Sequence, residues 1–224
     1  MPGRGGAVAY HENLFLYHLR RLRTHLPMTS STAVTPLHAL ASRRSVKFLR
    51  APAPKPEELD QILQTAMSAP DHGKLRPWRF VLIRGEAIGK LADLALAAVK
   101  ESGDPRMTPE KEKAVREWMA AVPLFIGVAQ KIAHDNTKIP EQEQLLATGA
   151  AAMNLLNAVH MLGYGAFWST GMGTYVEAVQ EALGLDPLDY RFLGFLAVGT
   201  PACAVPQVER PDFRDYVTEW TGPK

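Results

Sequence analysis

Between Gln144 and Val176 the chain carries no Asp, Glu, Lys or Arg. A stretch of that kind has to be kept from water, and few architectures can do so. Its first part, Gln144–Gly163, is long enough to cross a bilayer as a helix. Asn154, Asn157 and His160 interrupt it, however, and Ala and Gly outnumber Leu and Ile. Small side chains suit close packing against other protein, and a charge placed there would cost desolvation. The expected element is therefore a deeply buried helix over Glu141–Leu162, with Gly163 at a natural C-terminal capping position. No transmembrane segment is predicted.

The remaining composition is that of an ordinary globular protein: 224 residues, 46% hydrophobic, 21% charged, net charge +2. One domain is expected, large enough to need no disulfide or metal. The single cysteine, Cys203, cannot form an internal disulfide and is compatible with a reducing cytoplasm, the expected location. Basic residues are scattered after about residue 50, which gives no support for a nucleic-acid or membrane-surface role. Residues 1–34 stand apart, and their stretch Met1–Pro27, with Arg20, Arg21 and Arg23, resembles a basic presequence without its apolar core. They are expected to be a poorly ordered extension or a misassigned start, Met28 serving equally well as a beginning.

Hydrophobic spacing predicts the other elements. A short helix over 35–44 leads through an extended, Pro-punctuated stretch to a helix opened by Pro56, with Glu57 and Glu58 in its first turn. Trp78–Ile83, Leu124–Ala129, Ala166–Ser169 and Phe192–Val198 read as strands, and an extended patch is expected near Phe213–Trp220. Glu86–Lys100, Pro109–Ala121 and Val176–Leu183 read as helices. Helices interspersed irregularly among strands favour an α+β fold with a mixed central sheet over a doubly wound one.

No HExxH, Walker A or GxSxG pattern occurs, and no His/Cys spacing suits a metal. Gly163-Tyr164-Gly165 and Gly171-Met172-Gly173 lack the third glycine of a dinucleotide fingerprint and read as turns. Three separated segments remain. Ser42-Arg43-Arg44-Ser45 offers two guanidiniums and two hydroxyls, which suit a phosphate, although alone the segment reads first as a solvated basic cluster at a helix end. The loop Ala69–Pro77 is dense in Pro, Gly and polar groups between an apolar helix and strand. Its His72, Lys74 and Arg76 can meet negative charge, whereas Trp78 reads more simply as core. Gly165–Gly171 follows an aromatic pair with two hydroxyls and a glycine, a form that allows close approach to a planar ligand.

These segments, SRRSVKFL (42–49), ILQTAMSAPDH (62–72), PWRFVLI (77–83), ATGAAAMNLLNAVHMLGYGAFW (147–168) and FLGFLAVGTP (192–201), resemble the nitroreductase family. The resemblance spans residues 36–220. It implies a homodimer of α+β subunits with FMN at the interface, residues 35–224 forming the FMN-binding domain. Arg43, Arg44 and Ser45 would bind the phosphate and ribityl region, Ser68 and His72 would contact the flavin, and Trp168, Ser169 and Thr170 would reach it from the strand after the long helix. No side chain is implied as catalytic acid or base. The chain departs from the family pattern at Arg76, where Gln is common, and at Ser169, where Arg occurs; both change local charge. The implied activity is hydride transfer from NAD(P)H through FMN to a nitroaromatic, quinone or similar small electrophile. Other chemistry on the same fold, or storage of FMN without turnover, would use the same residues.

Overall fold

Seven consecutive buried residues, Leu124–Gln130, run along one strand, so both of its faces are covered. In the computed structural model, which describes residues 35–103, 107–206 and 208–223, that strand is β3 (Leu124–Lys131). It lies between β2 (Trp78–Arg84) and β5 (Tyr190–Pro201), antiparallel to each. On its other side β5 pairs antiparallel with β4 (Gly165–Ser169), and its last residues pair with β1 (Leu49–Arg50). Side chains alternate across a strand, so β3 and β5 feed two cores. Ile126, Val128, Leu196 and Val198 join one cluster; Phe125, Ala129, Phe195 and Ala197 join the other. The pairing of the named strands is antiparallel throughout, and the sheet is mixed only through an isolated parallel bridge, Ser45 to Ala166.

The first cluster is covered by α2 (Pro56–Ala66) and α5 (Glu141–Met161). Helix α2 starts at Pro56, as expected, and buries Leu59, Ile62 and Ala66 at helical spacing. Helix α5 lays Ala147, Ala151, Ala152, Leu155 and Val159 on the sheet. Its end is a full Schellman closure: Gly163, at φ +83°, donates to His160 O, and Tyr164 donates to Val159 O, both at 3.0 Å. The second cluster is covered by α3 (Glu86–Glu101), α4 (Pro109–Ala121) and the short α6 (Glu177–Ala182). There Trp118, Phe125, Phe195 and Phe192 form a chain of edge-to-face contacts at 5.6, 6.4 and 4.8 Å, each pair adding about 0.5–1.5 kcal/mol beyond burial.

A short helix, α1 (Pro36–Ser42), precedes the sheet, and residues Pro36–Lys224 cluster as one compact unit. The expected extension, 1–34, lies outside the described residues. Among the described residues no helix is long and apolar enough to cross a membrane. One element differs from expectation. Phe213–Tyr216 is a turn of 3₁₀ helix rather than an extended patch, because Asp212 accepts the Arg214 N–H at 3.0 Å and closes the turn. Trp78 is buried in the first cluster, so its core reading holds.

Candidate functional site

Arg43, Arg44 and Ser45 leave the end of α1 and are fixed by backbone contacts on two sides. Ser45 bridges Ala166 of β4, Val46 N–H donates to Ala166 O at 2.8 Å, and Trp118 Nε1 donates to Lys47 O at 2.9 Å. Gly165 makes the approach possible. A Cβ there would lie 2.7 Å from Leu49 Cδ2 and 3.2 Å from Val46 Cβ.

A third arginine arrives from the C-terminal tail: Arg210 Nη2 donates to Arg43 O at 2.6 Å. The Arg43 guanidinium is held below its ordinary pKa, by partial burial first and then by the like charges of Arg210 and Arg44. Among the described residues no Asp or Glu forms an ion pair with any of the three. Mutually repelling guanidiniums without a carboxylate make a site of strongly positive potential, suited to an anion. A cavity of about 490 Å³ opens beside them, lined by Ser42, Arg44, His160, Tyr164, Pro201 and Arg210 among others. Sequence reasoning missed Arg210, which sits in an aperiodic Pro-rich tail 167 residues from its partner. It noted His160 only as an interruption of the uncharged run. That interruption was the available signal.

The strand β4 carries this site towards Trp168, Ser169 and Thr170. Ser169 stands three residues beyond Ala166, roughly 10 Å at about 3.4 Å per residue. Its buried Oγ accepts the Gly171 N–H at 3.3 Å, and Thr170 is exposed. Trp168 donates its indole N–H to Leu193 O at 2.8 Å, so that donor is already used within the protein. The acceptor is free because β5 bulges there: Val128 faces Gly194 and Ala129 faces Phe192, leaving Leu193 out of the ladder. The turn that follows, Gly171–Thr174, closes with Thr174 N–H on Gly171 O at 3.2 Å, in line with its reading as a turn.

Ser68 and His72 lie elsewhere. The Ser68 hydroxyl donates to Thr65 O at 2.8 Å and accepts from Asn154 Nδ2 at 3.2 Å, midway along α5. His72 Nδ1 is 2.6 Å from Glu143 Oε2, at the start of α5. Ser42 meets the other end, its Oγ 3.2 Å from His160 Nε2. At about 1.5 Å per residue, Glu143 and His160 are roughly 25 Å apart along the helix. Within one chain, therefore, His72 and the arginine cluster are not brought together.

Backbone strain marks the same loops. Lys74 and Arg76 have φ of 57° and 49°, next to Gly73 at 71°, and Asp71 Oδ2 accepts the Arg76 N–H at 2.7 Å. The other described non-glycine residue with positive φ is Met172, at 54°, in the turn after β4. Each such residue costs about 1–3 kcal/mol and persists only where the surroundings enforce it, typically at ligand-binding loops.

Comparison with known proteins gives a consistent result. A model described as "Nitroreductase family" matches residues 40–200. The chain is 36% identical over 188 residues to a Haemophilus influenzae protein described as "Putative NAD(P)H nitroreductase", covering 81% of this chain and 97% of that one. It is 35% identical over 184 residues to the similarly described YdjA of Escherichia coli K12, with the same coverage. Among solved structures, a nitroreductase-family protein from Desulfovibrio desulfuricans in complex with FMN superimposes with a TM-score of 0.64 at 26% identity, covering 86% of this chain and all of that one.

Proposed function

The chain belongs to the nitroreductase family of oxidoreductases, and on that footing we propose that it holds FMN and passes hydride from NAD(P)H to a nitroaromatic, quinone or similar small electrophile. The observation that carries the reading is the cluster of Arg43, Arg44 and Arg210 without an ion-pair carboxylate among the described residues, beside a cavity of about 490 Å³. A phosphomonoester brings a charge of about −1.5 to −2. Three neighbouring guanidiniums match it in sign, and each offers the forked donors that suit phosphate oxygens. Bound flavin supplies the hydride acceptor and donor, and the protein supplies position and electrostatics.

In this reading Arg43, Arg44 and Arg210 hold the phosphate, with the exposed Ser45 hydroxyl beside them. Residues Trp168–Thr170 edge the planar ring: Trp168 is locked by its bond to Leu193, leaving the Ser169 and Thr170 hydroxyls and the β4 backbone as the donors on offer. Lys74 and Arg76 share the strained loop of His72, so they would supply positive charge to the ring from a second copy, as His72 would. The exposed, lone Cys203 suits the reducing cytoplasm.

His72 reaches the same ligand only from a second copy, whereas Ser68, bonded to Asn154, stands about 9 Å along α5 from His160. A partner laying its α5 across this one in the opposite direction would bring its His72 towards these arginines. The surface supports that pairing. Leu146, Met153 and Met161, on the side of α5 away from the sheet, are 65%, 42% and 50% exposed, and Leu37 and Leu40 of α1 are also uncovered. Replacing Leu146 and Met153 together by glutamate is expected to yield monomers on sedimentation and to lose bound FMN, because each site then lacks half its walls. A double variant that remains dimeric would exclude this face as the interface.

Rapid mixing tests the activity itself. Protein-bound FMN is expected to bleach with NADH or NADPH and to recover its absorbance on addition of a quinone or nitroaromatic. Bleaching no faster than free flavin would leave a storage role instead.

A further inference from the structure

We propose that His160 is a titrating member of the phosphate site, neutral in the flavin-free chain and protonated once the phosphate dianion enters, so that cofactor binding takes up a proton. The inference rests on the proposed FMN site.

His160 sits on the last turn of α5 and lines the same cavity as Ser42, Arg44 and Arg210. Its Nε2 is 3.2 Å from Ser42 Oγ. Among the described residues, the groups that line its cavity or act on it can be named. Helix α1 contributes Ser42, the Ala39 carbonyl and, across the cavity, His38; the segment after it contributes Arg43 and Arg44; the tail contributes Arg210; the turn beyond α5 contributes Tyr164. Among the described residues no carboxylate lines the cavity; Glu58 of α2 stands behind it, its Oε2 accepting from the Tyr164 hydroxyl at 2.7 Å. Partial burial and then the Arg43 charge hold the imidazole below its ordinary pKa, against the opposing effect of the nearby Ala39 carbonyl.

Two influences at this position favour the cation. The C-terminal end of a helix is negative, and His160 occupies that end of α5. The nearby Ala39 carbonyl, an acceptor, also favours the protonated ring. Burial and the positive field of the arginines keep it neutral. A phosphate dianion reverses that field, after which the helix end, the carbonyl and the ligand all favour imidazolium. The pKa is thus higher in the bound state than in the free one. Affinity is greatest below the free-state pKa and falls as pH rises through the bound-state pKa; each unit between them is worth about tenfold in affinity. The phosphate acts in the opposite direction. Its second ionisation lies near pH 6, and a site that prefers the dianion releases protons from it on binding.

Titration calorimetry of FMN into the flavin-free full chain at pH 7, in phosphate-free buffers of different ionisation enthalpy, separates the two signs. Net uptake of a fraction of a proton is expected with FMN, and none with riboflavin, which lacks the phosphate. Release or no exchange with FMN would overturn the inference. His160→Gln is expected to abolish the uptake; a variant that binds FMN with the uptake unchanged would also overturn it. Should that variant not fold, the wild-type imidazole resonances decide: the His160 midpoint must rise when FMN is added, and a fixed midpoint refutes the proposal. FMN that does not bind at all would remove the proposed function as well, whereas FMN that binds without proton uptake would remove this inference alone.

Discussion

Arg43→Ala is expected to weaken FMN binding by about 10- to 100-fold while leaving the flavin-free chain at least as stable as before. A hydrogen bond to a charged group contributes about 1.5–3 kcal/mol, and about 1.4 kcal/mol corresponds to a factor of ten. The second half of the expectation comes from the field in the site. Arg43 is partly desolvated and repelled by Arg210 and Arg44, so its removal relieves repulsion when no anion is present. Its carbonyl, which accepts from Arg210, survives the substitution. A purely structural Arg43 would behave in the opposite way, with a lower melting temperature and unchanged affinity. Combining the change with Arg210→Ala should lower affinity further. The two effects are not expected to add, because both residues hold one phosphate. Fluorescence titration with FMN, alongside thermal melts of the flavin-free variants, checks both halves.

The second large effect is structural. Gly194, in the bulge of β5, has φ +107°, and a Cβ there would collide with the backbone oxygen of Ser169 and come within 3.4 Å of Trp168 Nε1. Gly194→Ala therefore meets two penalties. A positive φ costs a non-glycine residue about 1–3 kcal/mol, and overpacking against backbone that cannot move aside typically costs about 1–3 kcal/mol more. For a chain of this size each kcal/mol lowers the melting temperature by about 2–4 °C. A fall on the order of 10 °C is expected, together with weaker FMN binding, since Trp168 and Ser169 edge the proposed ring site. An unchanged melting temperature would mean that the bulge is not as rigid as its contacts imply.

Much of the architecture was legible because its signals are local. Pro56 and Pro109 open the helices expected of them, Gly163 closes α5, and the uncharged run from Gln144 marks the helix that packs on the sheet. The strands were recognisable from short apolar runs, although their pairing was not: antiparallel register depends on contacts between distant segments such as Leu124 and Val198. The tail misled for a related reason. Apolar and aromatic residues from Phe213 to Trp220 look like a strand, but Asp212 caps a turn there.

The site was legible only in part. Arg43 and Arg44 stand adjacent in the sequence, so their charge is conspicuous. Arg210 has no local pattern around it, and only folding brings it to the Arg43 carbonyl. The bulge that frees Leu193 O for Trp168 is likewise a long-range event. The separation between His72 and His160 was also invisible, because neither residue advertises which end of α5 it meets. That separation, taken with the resemblance that puts His72 at the flavin, is what calls for a second copy in the proposed site.

The central claim is that this chain holds FMN in a form that reacts with a nicotinamide. One absorbance spectrum of the purified chain, reconstituted with FMN and desalted, tests it most directly. The flavin bands are expected to stay with the protein and to bleach when NADH or NADPH is added without oxygen. A colourless protein that regains no flavin spectrum on reconstitution would contradict the account.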